Sequence, residues 1–458
     1  LAMAVFKYFK AENNIDKPGA GVCKINCGGD KSVTHRALMF AAMAEGESSI
    51  SNPSRSLDCL ASVSALERLG VKCVFKAGAN ELLVASGGFK SLAAPRGIID
   101  CANSGTTARL LMGLAAAAEG ASVFMTGDAS LIRRPMGRVA APFEAMGARI
   151  ILSSENTLPA AVSGRKLRGI EFDNIYNSAQ VKAALILAAF GASGKTLIRE
   201  RIPTRDHSEL MAEKFGLELK RTAVRGGGVR IAARGPQKAV PARIAVPNDP
   251  SSAAFFIALD ALFQVVYGRR LKIKAESVLI NDSRNGFFEC LFDSGFDMIY
   301  SACSDAMVEK SCDLEVNFGG YAPPAPQVID SPARVVSMID EIPLAALALS
   351  FAPGESYIGG LSELRVKETD RLAAIASQLN KMGAKIKAGE DSLTICGVKK
   401  LKGAAVDSCG DHRMAMTLII AGILSGSDFS VSGCECVAVS NPSFFDDLKR
   451  LGFVFHIA

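Results

Sequence analysis

RLAAIASQLNKMGAKI, residues 371–386, reads as one helix, one stop and the start of one strand. Leu372, Ile375, Leu379 and Met382 recur at helical spacing with polar residues between them, which predicts an amphipathic helix. Gly383 follows as the residue favoured at the left-handed position that ends a helix, and an apolar run begins after it. The same pattern stands at five other places: ERLGVKC around Gly70, EAMGARI around Gly147, EKFGLEL around Gly216, FDSGFDM around Gly295 and KRLGFVF around Gly452. Successive glycines lie 69 to 88 residues apart. A solenoid repeat spans only roughly 20–50 residues, so each copy is a subdomain.

A different kind of helix precedes each of these. Runs such as MAMTLIIAGILSG (414–426) carry Ala, Gly, Leu and Met on all faces, the mark of a buried helix. Six are expected, beginning near Ala37, Ala108, Ala183, Ala253, Ala345 and Ala415. SYIGGL (356–361) and FSVSGC (429–434) read as strands, so each copy is a helix–strand–helix–strand element of the α/β class. One core rarely grows past roughly 250–300 residues. A chain of 458 residues with 49% hydrophobic content therefore predicts two domains of three copies each. The crossing is expected in the turn-rich PARIAVPNDPSSAA (241–254). The opening LAMAVFKYFK holds a strand-like VFKYF, begins without Met and lacks a cleavage pattern, so part of it reads as a cloning remnant.

Composition narrows the function. The net charge of +6 is mild, there is no run of five like charges, no Trp and only six Tyr, which gives a nucleic-acid surface little support. Apolar stretches such as LLMGLAAAA (110–118) fall short of the roughly 20 residues that span a bilayer. The twelve Cys are scattered, and the closest pairs, Cys23/Cys27 and Cys434/Cys436, lack zinc spacing. Reduced thiols in a cytoplasm are expected. With only His35, His207, His412 and His456, no metal centre is expected.

The polar residues gather just before the buried helices, in GGDKSVTHR, CANSGTTAR, YNSAQVK, PNDPSSA, MIDEIP and CGDHRM. Capping alone accounts for Ser, Thr, Asn and Asp there. It does not account for Lys31, Arg36, Arg109, Lys182 and Arg413, because a cation at the positive end of a buried helix is unfavourable unless an anion compensates it. These residues predict an anion-lined cleft. LSELRVKETDRLAAI (361–375) is the densest cluster: Thr369 or Asp370 caps the following helix, Arg365, Lys367 and Glu368 lie in the entering loop, and Arg371 lies in the first turn. IRRPMGR (132–138) is a second basic loop, suited to gripping a carboxylate or phosphate by two parallel hydrogen bonds. Asp340 and Glu341, directly before the fifth buried helix, fit either a cap or a general base beside cations. GASGKT (191–196) fails as a phosphate loop, since Ala189 stands where the first Gly is needed and a helix precedes it.

Taken together, GDKSVTHRAL, NSGTTARLL, TGDASLIRRPM, SAQVKAALILA, TRDHSE, DPSSAAFF, DEIPLAALA, LRVKETDRLAA, DHRMAM and NPSFFDDL resemble the EPSP synthase family, the 3-phosphoshikimate 1-carboxyvinyltransferases, over about residues 29–446. RVKETDR with DHRMAM carries most of the specificity. The resemblance implies an inside-out α/β barrel with a six-fold internal repeat, two similar domains of three βαβαββ units each. Residues 30–247 would form the N-terminal domain, residues 1–29 with 248–458 the C-terminal domain, and the active site would lie in the cleft between them. It implies transfer of the carboxyvinyl group of phosphoenolpyruvate to the 5-hydroxyl of shikimate 3-phosphate through a tetrahedral intermediate, with release of phosphate. Lys31, Ser32, Arg36, Ser178, Gln180, Arg205, Asp340 and Lys367 would hold shikimate 3-phosphate. Lys31, Gly105, Arg134, Gln180, Arg371 and Arg413 would hold phosphoenolpyruvate. Asp340 would take the hydroxyl proton, and Lys31 and Glu368 would serve proton transfer at the methylene carbon.

The same resemblance implies a cytoplasmic monomer of aromatic amino-acid biosynthesis that acts on small molecules, uses no cofactor or metal, binds neither nucleic acid nor membrane, and belongs to a family targeted by glyphosate. GDKS, SAQVK and RDHSE look like the subgroup often tolerant of that inhibitor. The chain departs from some relatives at Leu364, where they carry Asn, at Val439 and Ser440, where they carry Lys nearby, and at Ser283, where Thr is typical of the tolerant subgroup. The related UDP-N-acetylglucosamine enolpyruvyl transferases carry a Cys five residues before the loop Arg, and Ala129 stands there ahead of Arg134. A non-catalytic anion-binding scaffold would have no use for Lys31, Asp340 and Glu368 together.

Overall fold

Among the described residues, six sheets of four strands, each flanked by helices, make a mixed α/β protein. The structure is a computed structural model, and it describes residues 5–8, 21–92, 95, 97–317 and 324–457. Every sheet has the same plan, one parallel pair followed by two antiparallel pairs. In one of them Ile99–Asp100 runs parallel to Ser122–Thr126, which pairs antiparallel with Ala160–Ser163, which pairs antiparallel with Arg149–Ile151. Three sheets are completed from far away in the chain. Arg243–Ala245 joins Glu45–Ser51, Cys23–Ile25 joins Ile273–Leu279, and Val5–Tyr8 lies between Phe429–Ser432 and His456–Ile457. Of the opening run LAMAVFKYFK, only residues 5–8 are within the described residues.

The chain forms two compact units. One comprises Gly29–Pro247 with Ala306–Glu309, and the other Leu1–Gly28, Asn248–Asp305 and Lys310–Ala458. The four-residue visit of Ala306–Glu309 to the first unit had no signal in the sequence. It is held there by Val308 N–H donating to the Ala245 carbonyl at 3.1 Å, and by Glu309 meeting His207 Nδ1 at 2.7 Å.

The glycine stops work alike in all six places. Gly70, Gly147, Gly216, Gly295, Gly383 and Gly452 all have φ between +69° and +109°, a region that costs an L side chain strain. Each donates its N–H to the carbonyl three residues back, and the next residue donates to the carbonyl five residues back, the paired bonds that close a helix C-terminus. That next residue, from Val71 to Phe453, is buried, so the cap also turns the chain into the core.

The buried helices start three to six residues earlier than their apolar runs suggest: Lys31–Met43, Gly105–Ala117, Ala179–Gly191, Pro250–Tyr267, Ile342–Leu349 and His412–Ser425. Side chains of Asp30, Ser104, Ser178, Asp249 and Asp411 accept N–H bonds from the first turn, so the polar segments expected to precede the helices form their first turns instead. Close packing sets some residues within them. A Cβ on Gly113 would fall 2.4 Å from the Ala184 carbonyl oxygen, so only Gly lets these two helices approach.

Two expectations are corrected. Pro250–Tyr267 is long and apolar enough to cross a bilayer, although the sequence showed only shorter apolar stretches; Asp260 interrupts the run. The helix is a core helix. Asp260, fully buried, accepts the N–H groups of Leu271, Lys272 and Ile273 and pins the turn that follows. Nor are all cysteines thiols: Cys303 and Cys312 are bonded. They face each other across Asp297–Ser304 and Ser311–Asn317 where the register slips between Ser301 and Ser304, bringing their Cα atoms to 4.1 Å. The other ten are free.

Candidate active site

In the unit Gly29–Pro247 the first turns of three buried helices carry most of the expected residues. Lys31 opens the first, and its ammonium lies 3.0 Å from Asp58 Oδ2 at the start of Leu57–Arg68. One turn on, Arg36 is buried, with Nε donating to Ser208 Oγ at 2.8 Å and Nη1 to the Ser32 carbonyl at 2.9 Å. Burial presses its pKa down to about 10 against the pull of Glu209, with Arg205 adding to the fall. Gly105 begins the second helix, and Arg109 on it donates to Gln180 Oε1 on the third. Gln180 returns a hydrogen bond to Thr106 at 2.8 Å. Arg134, nine-tenths buried, donates to Asn103 at 2.9 Å and Ser130 at 3.2 Å. Ser178 caps the third helix, and Ser32 and Arg205 are half-buried.

Lys182 does not join them. Its ammonium, 1% exposed, is used up by Glu200 at 3.1 Å, Glu209 at 2.9 Å and the Thr204 carbonyl at 3.1 Å. The expectation that it faces an anion is wrong because two carboxylates from the protein itself already compensate it. His35, buried against Ser62, is held well below its ordinary pKa by burial and by Lys31 and Arg36, so it is a neutral core residue. Asp206, His207 and Glu309 form the one group with metal-ligating spacing among the described residues. Within it, His207 and Glu309 already pair with each other.

In the other unit a single guanidinium organises the cluster. Arg371 opens Arg371–Lys381 behind its cap Asp370, as the spacing of RVKETDR suggested. It is 1% exposed and stands among three carboxylates: Asp411 at 2.7 Å, Glu368 at 2.7 Å and Asp340 at 3.6 Å. Burial would lower its pKa, but Asp411, Glu368 and Asp340 together raise it above the ordinary value, so it stays charged. Lys367 shares this surrounding. Burial, with Arg371, lowers its pKa, and Asp340 and Glu368 oppose the fall. Arg413, in the first turn of His412–Ser425, is also buried and lies 3.6 Å from Glu341. Leu364, one of the departures, is fully buried and packs in the core rather than at this cluster.

The structure thus brings Asp340, Lys367, Glu368 and Arg371 together in one unit, and Gly105, Arg134 and Gln180, bridged by Arg109, in the other. Sequence reasoning missed the partners Asp58 and Asp411. Asp411 sits two residues before Arg413 and reads as a cap, which it is; that it also clamps Arg371 follows only from packing. Each unit offers buried cations suited to anionic groups, and in the unit of Arg371 the half-buried carboxylates Asp340 and Glu368 and the ammonium of Lys367 stand beside them, groups able to take or give a proton.

Comparison with known proteins agrees in kind. The family model described as EPSP synthase (3-phosphoshikimate 1-carboxyvinyltransferase) matches residues 15–448. The 3-phosphoshikimate 1-carboxyvinyltransferase of Parasynechococcus marenigrum is 41% identical over 424 residues, covering 92% of this chain and 94% of the relative. That of Sulfurihydrogenibium is 38% identical over 423 residues, covering 92% and 95%. Among solved structures, EPSP synthase of Acinetobacter baumannii superimposes with a TM-score of 0.80 at 32% identity, over the whole of both chains.

Proposed function

The chain belongs to the EPSP synthase family, and from that premise we propose that it transfers the carboxyvinyl group of phosphoenolpyruvate to the 5-hydroxyl of shikimate 3-phosphate, as a monomer with the family's inside-out barrel. The observation that carries the chemistry is Arg371, a buried guanidinium among Asp411, Glu368 and Asp340, which sets a permanent cation beside two half-buried carboxylates. Arg371, Arg413 and Arg134 hold the two anionic ends of phosphoenolpyruvate. Lys31, Arg36, Arg205 and Lys367 hold the phosphate and carboxylate of the acceptor.

The reaction needs a base for the alcohol, a proton for the alkene carbon and fixed charge for the leaving phosphate. Asp340 takes the hydroxyl proton as the oxygen attacks C2 of phosphoenolpyruvate, and C3 gains a proton. The resulting tetrahedral intermediate then loses a proton from that methyl group as the C2–O bond to phosphate breaks and the double bond returns. Lys31, ion-paired with Asp58, and Glu368, beside Arg371, handle the proton at C3 in the two directions.

Phosphate release from phosphoenolpyruvate is the test, with shikimate 3-phosphate and UDP-N-acetylglucosamine as parallel acceptors. Release with shikimate 3-phosphate alone is expected. Release with the sugar nucleotide alone, or with neither, would overturn the assignment. Lys31→Met should lower turnover by a factor of about 100 or more, the scale of a lost general acid–base group, while the thermal unfolding midpoint stays close to that of the parent.

A further inference from the structure

Glu341 is a buried carboxylate that the reaction above leaves without a task. It is 2% exposed and directly follows Asp340. An isolated buried carboxylate is costly, so a use must compensate it. Capping is not that use: Glu341 precedes Ile342–Leu349, but its side chain makes no capping hydrogen bond. Its Oε1 instead accepts from the Ser251 hydroxyl and lies 3.6 Å from Arg413 Nη1. Its Oε2 is buried with no hydrogen-bond partner. Ser251 in turn accepts from Arg284 Nη2 at 2.9 Å, and Arg284 stands 3.7 Å from the cap Asp249. The first turns of three buried helices therefore meet at one carboxylate, and Arg413 is the cation that faces it.

The parallel with the neighbouring cation is close. Asp411 holds Arg371 from one edge and leaves the Nη1 of that guanidinium without a hydrogen bond. Glu341 holds Arg413 from Nη1 and leaves its buried Nε without one. Both arginines are thus held by carboxylates of the protein, Arg371 by Asp411 and Glu368 and Arg413 by Glu341, and each keeps a buried donor without a hydrogen bond.

We propose that Glu341 is a positioning residue, fixing the guanidinium of Arg413 so that its remaining donors meet the anionic end of phosphoenolpyruvate. This rests on the reading of Arg413 as a phosphoenolpyruvate ligand. The test is steady-state kinetics of Glu341→Gln, Arg413→Lys and the double variant, with the KM of each substrate measured separately and folding checked by thermal melting. Glu341→Gln should raise the KM for phosphoenolpyruvate about tenfold and that for shikimate 3-phosphate less than about twofold, the signature of one lost ground-state contact. In the Arg413→Lys background the same change should add less than about twofold, because residues that act through one another are not additive. Ser251→Ala, which removes only the hydroxyl that orients Glu341, should shift the same KM in the same direction and serves if Glu341→Gln does not fold.

An equal rise in both KM values, or the full loss repeated in the Arg413→Lys background, would overturn the proposal. An unchanged KM for phosphoenolpyruvate in both Glu341→Gln and Ser251→Ala would do the same while the parent's turnover leaves the functional reading standing. A parent inactive with shikimate 3-phosphate would remove that reading itself. An Arg413→Lys variant with normal kinetics would remove the ligand role of Arg413, and with it this inference.

Discussion

A Cβ added at Gly105 would stand 3.1 Å from Nη1 of Arg109 and 3.3 Å from Nη1 of Arg134. Both contacts are with the far ends of flexible side chains, so the fold can absorb them, but the guanidiniums must move by a few tenths of an ångström. That displacement falls on a residue assigned to phosphoenolpyruvate and leaves Arg36 alone. Gly105→Ala should therefore raise the KM for phosphoenolpyruvate by about threefold to tenfold and leave that for shikimate 3-phosphate nearly unchanged, a split read directly from initial rates. Single residues of this kind were legible because they stand at helix starts: Lys31, Gly105, Arg371 and Arg413 all lie in first turns. Their partners were not. Asp58 reaches Lys31 from another helix, 27 positions away, and no spacing rule announces it. Lys182 looked the same as Arg36 in sequence, and only the two carboxylates packed around it separate structure from site.

That difference is felt at the scale of elements. Lys182 ties the helix Ala179–Gly191 to the strand Gly194–Glu200 through Glu200 and to the helix His207–Lys214 through Glu209. Burial pushes the Glu209 pKa up, and Lys182 is the main force opposing that rise. Lys182→Met would leave two buried carboxylates without their cation, a change that costs about 3–5 kcal/mol and should show as an equal loss in urea unfolding free energy. The helix Phe444–Arg450 shows the opposite case, a buried charge that weakens the fold. Burial pushes Asp447 up to about 6, despite Ser443 at 3.0 Å and Arg450 at 3.3 Å. Its folded pKa thus exceeds the unfolded value of about 4, so the native state holds the extra proton between those pH values. The stability it contributes is complete below about pH 4 and lost as pH rises through about 6. Asp447→Asn has no charge to bury, so its melting temperature should exceed that of the parent at pH 7, and the gap should close on acidification to pH 4. A gap that widens toward acid would contradict the burial argument.

Over the whole molecule, what the sequence showed was local and what it hid was long-range. The period of RLAAIASQLNKMG, the six glycine stops and the all-apolar helices are written in adjacent residues, because helix periodicity and a positive φ are local requirements. The completion of sheets from distant segments is not, since a strand of three or four residues carries no mark of its partner. Arg243–Ala245 finds Glu45–Ser51 across nearly two hundred residues, and Val5–Tyr8 finds Phe429–Ser432 across more than four hundred. Pairings this remote cost loop-closure entropy before they return any stability, so they should form late in folding. They also predict where the molecule is divisible. Removing residues 1–10 takes out the strand that lies between Phe429–Ser432 and His456–Ile457 and leaves both without that ladder. Hydrogen exchange at 456–457 should then lose its protection, that at 429–432 should lose part of it because this strand still pairs with Ala405–Asp407, and the unit that contains them should unfold at lower urea. The unit Gly29–Pro247 draws its own closing strand, Arg243–Ala245, from within itself, so its amides should keep their protection. Equal loss in both units would mean that the two unfold as one cooperative body, and no loss in either would mean that the strand Val5–Tyr8 contributes nothing to the stability of its sheet.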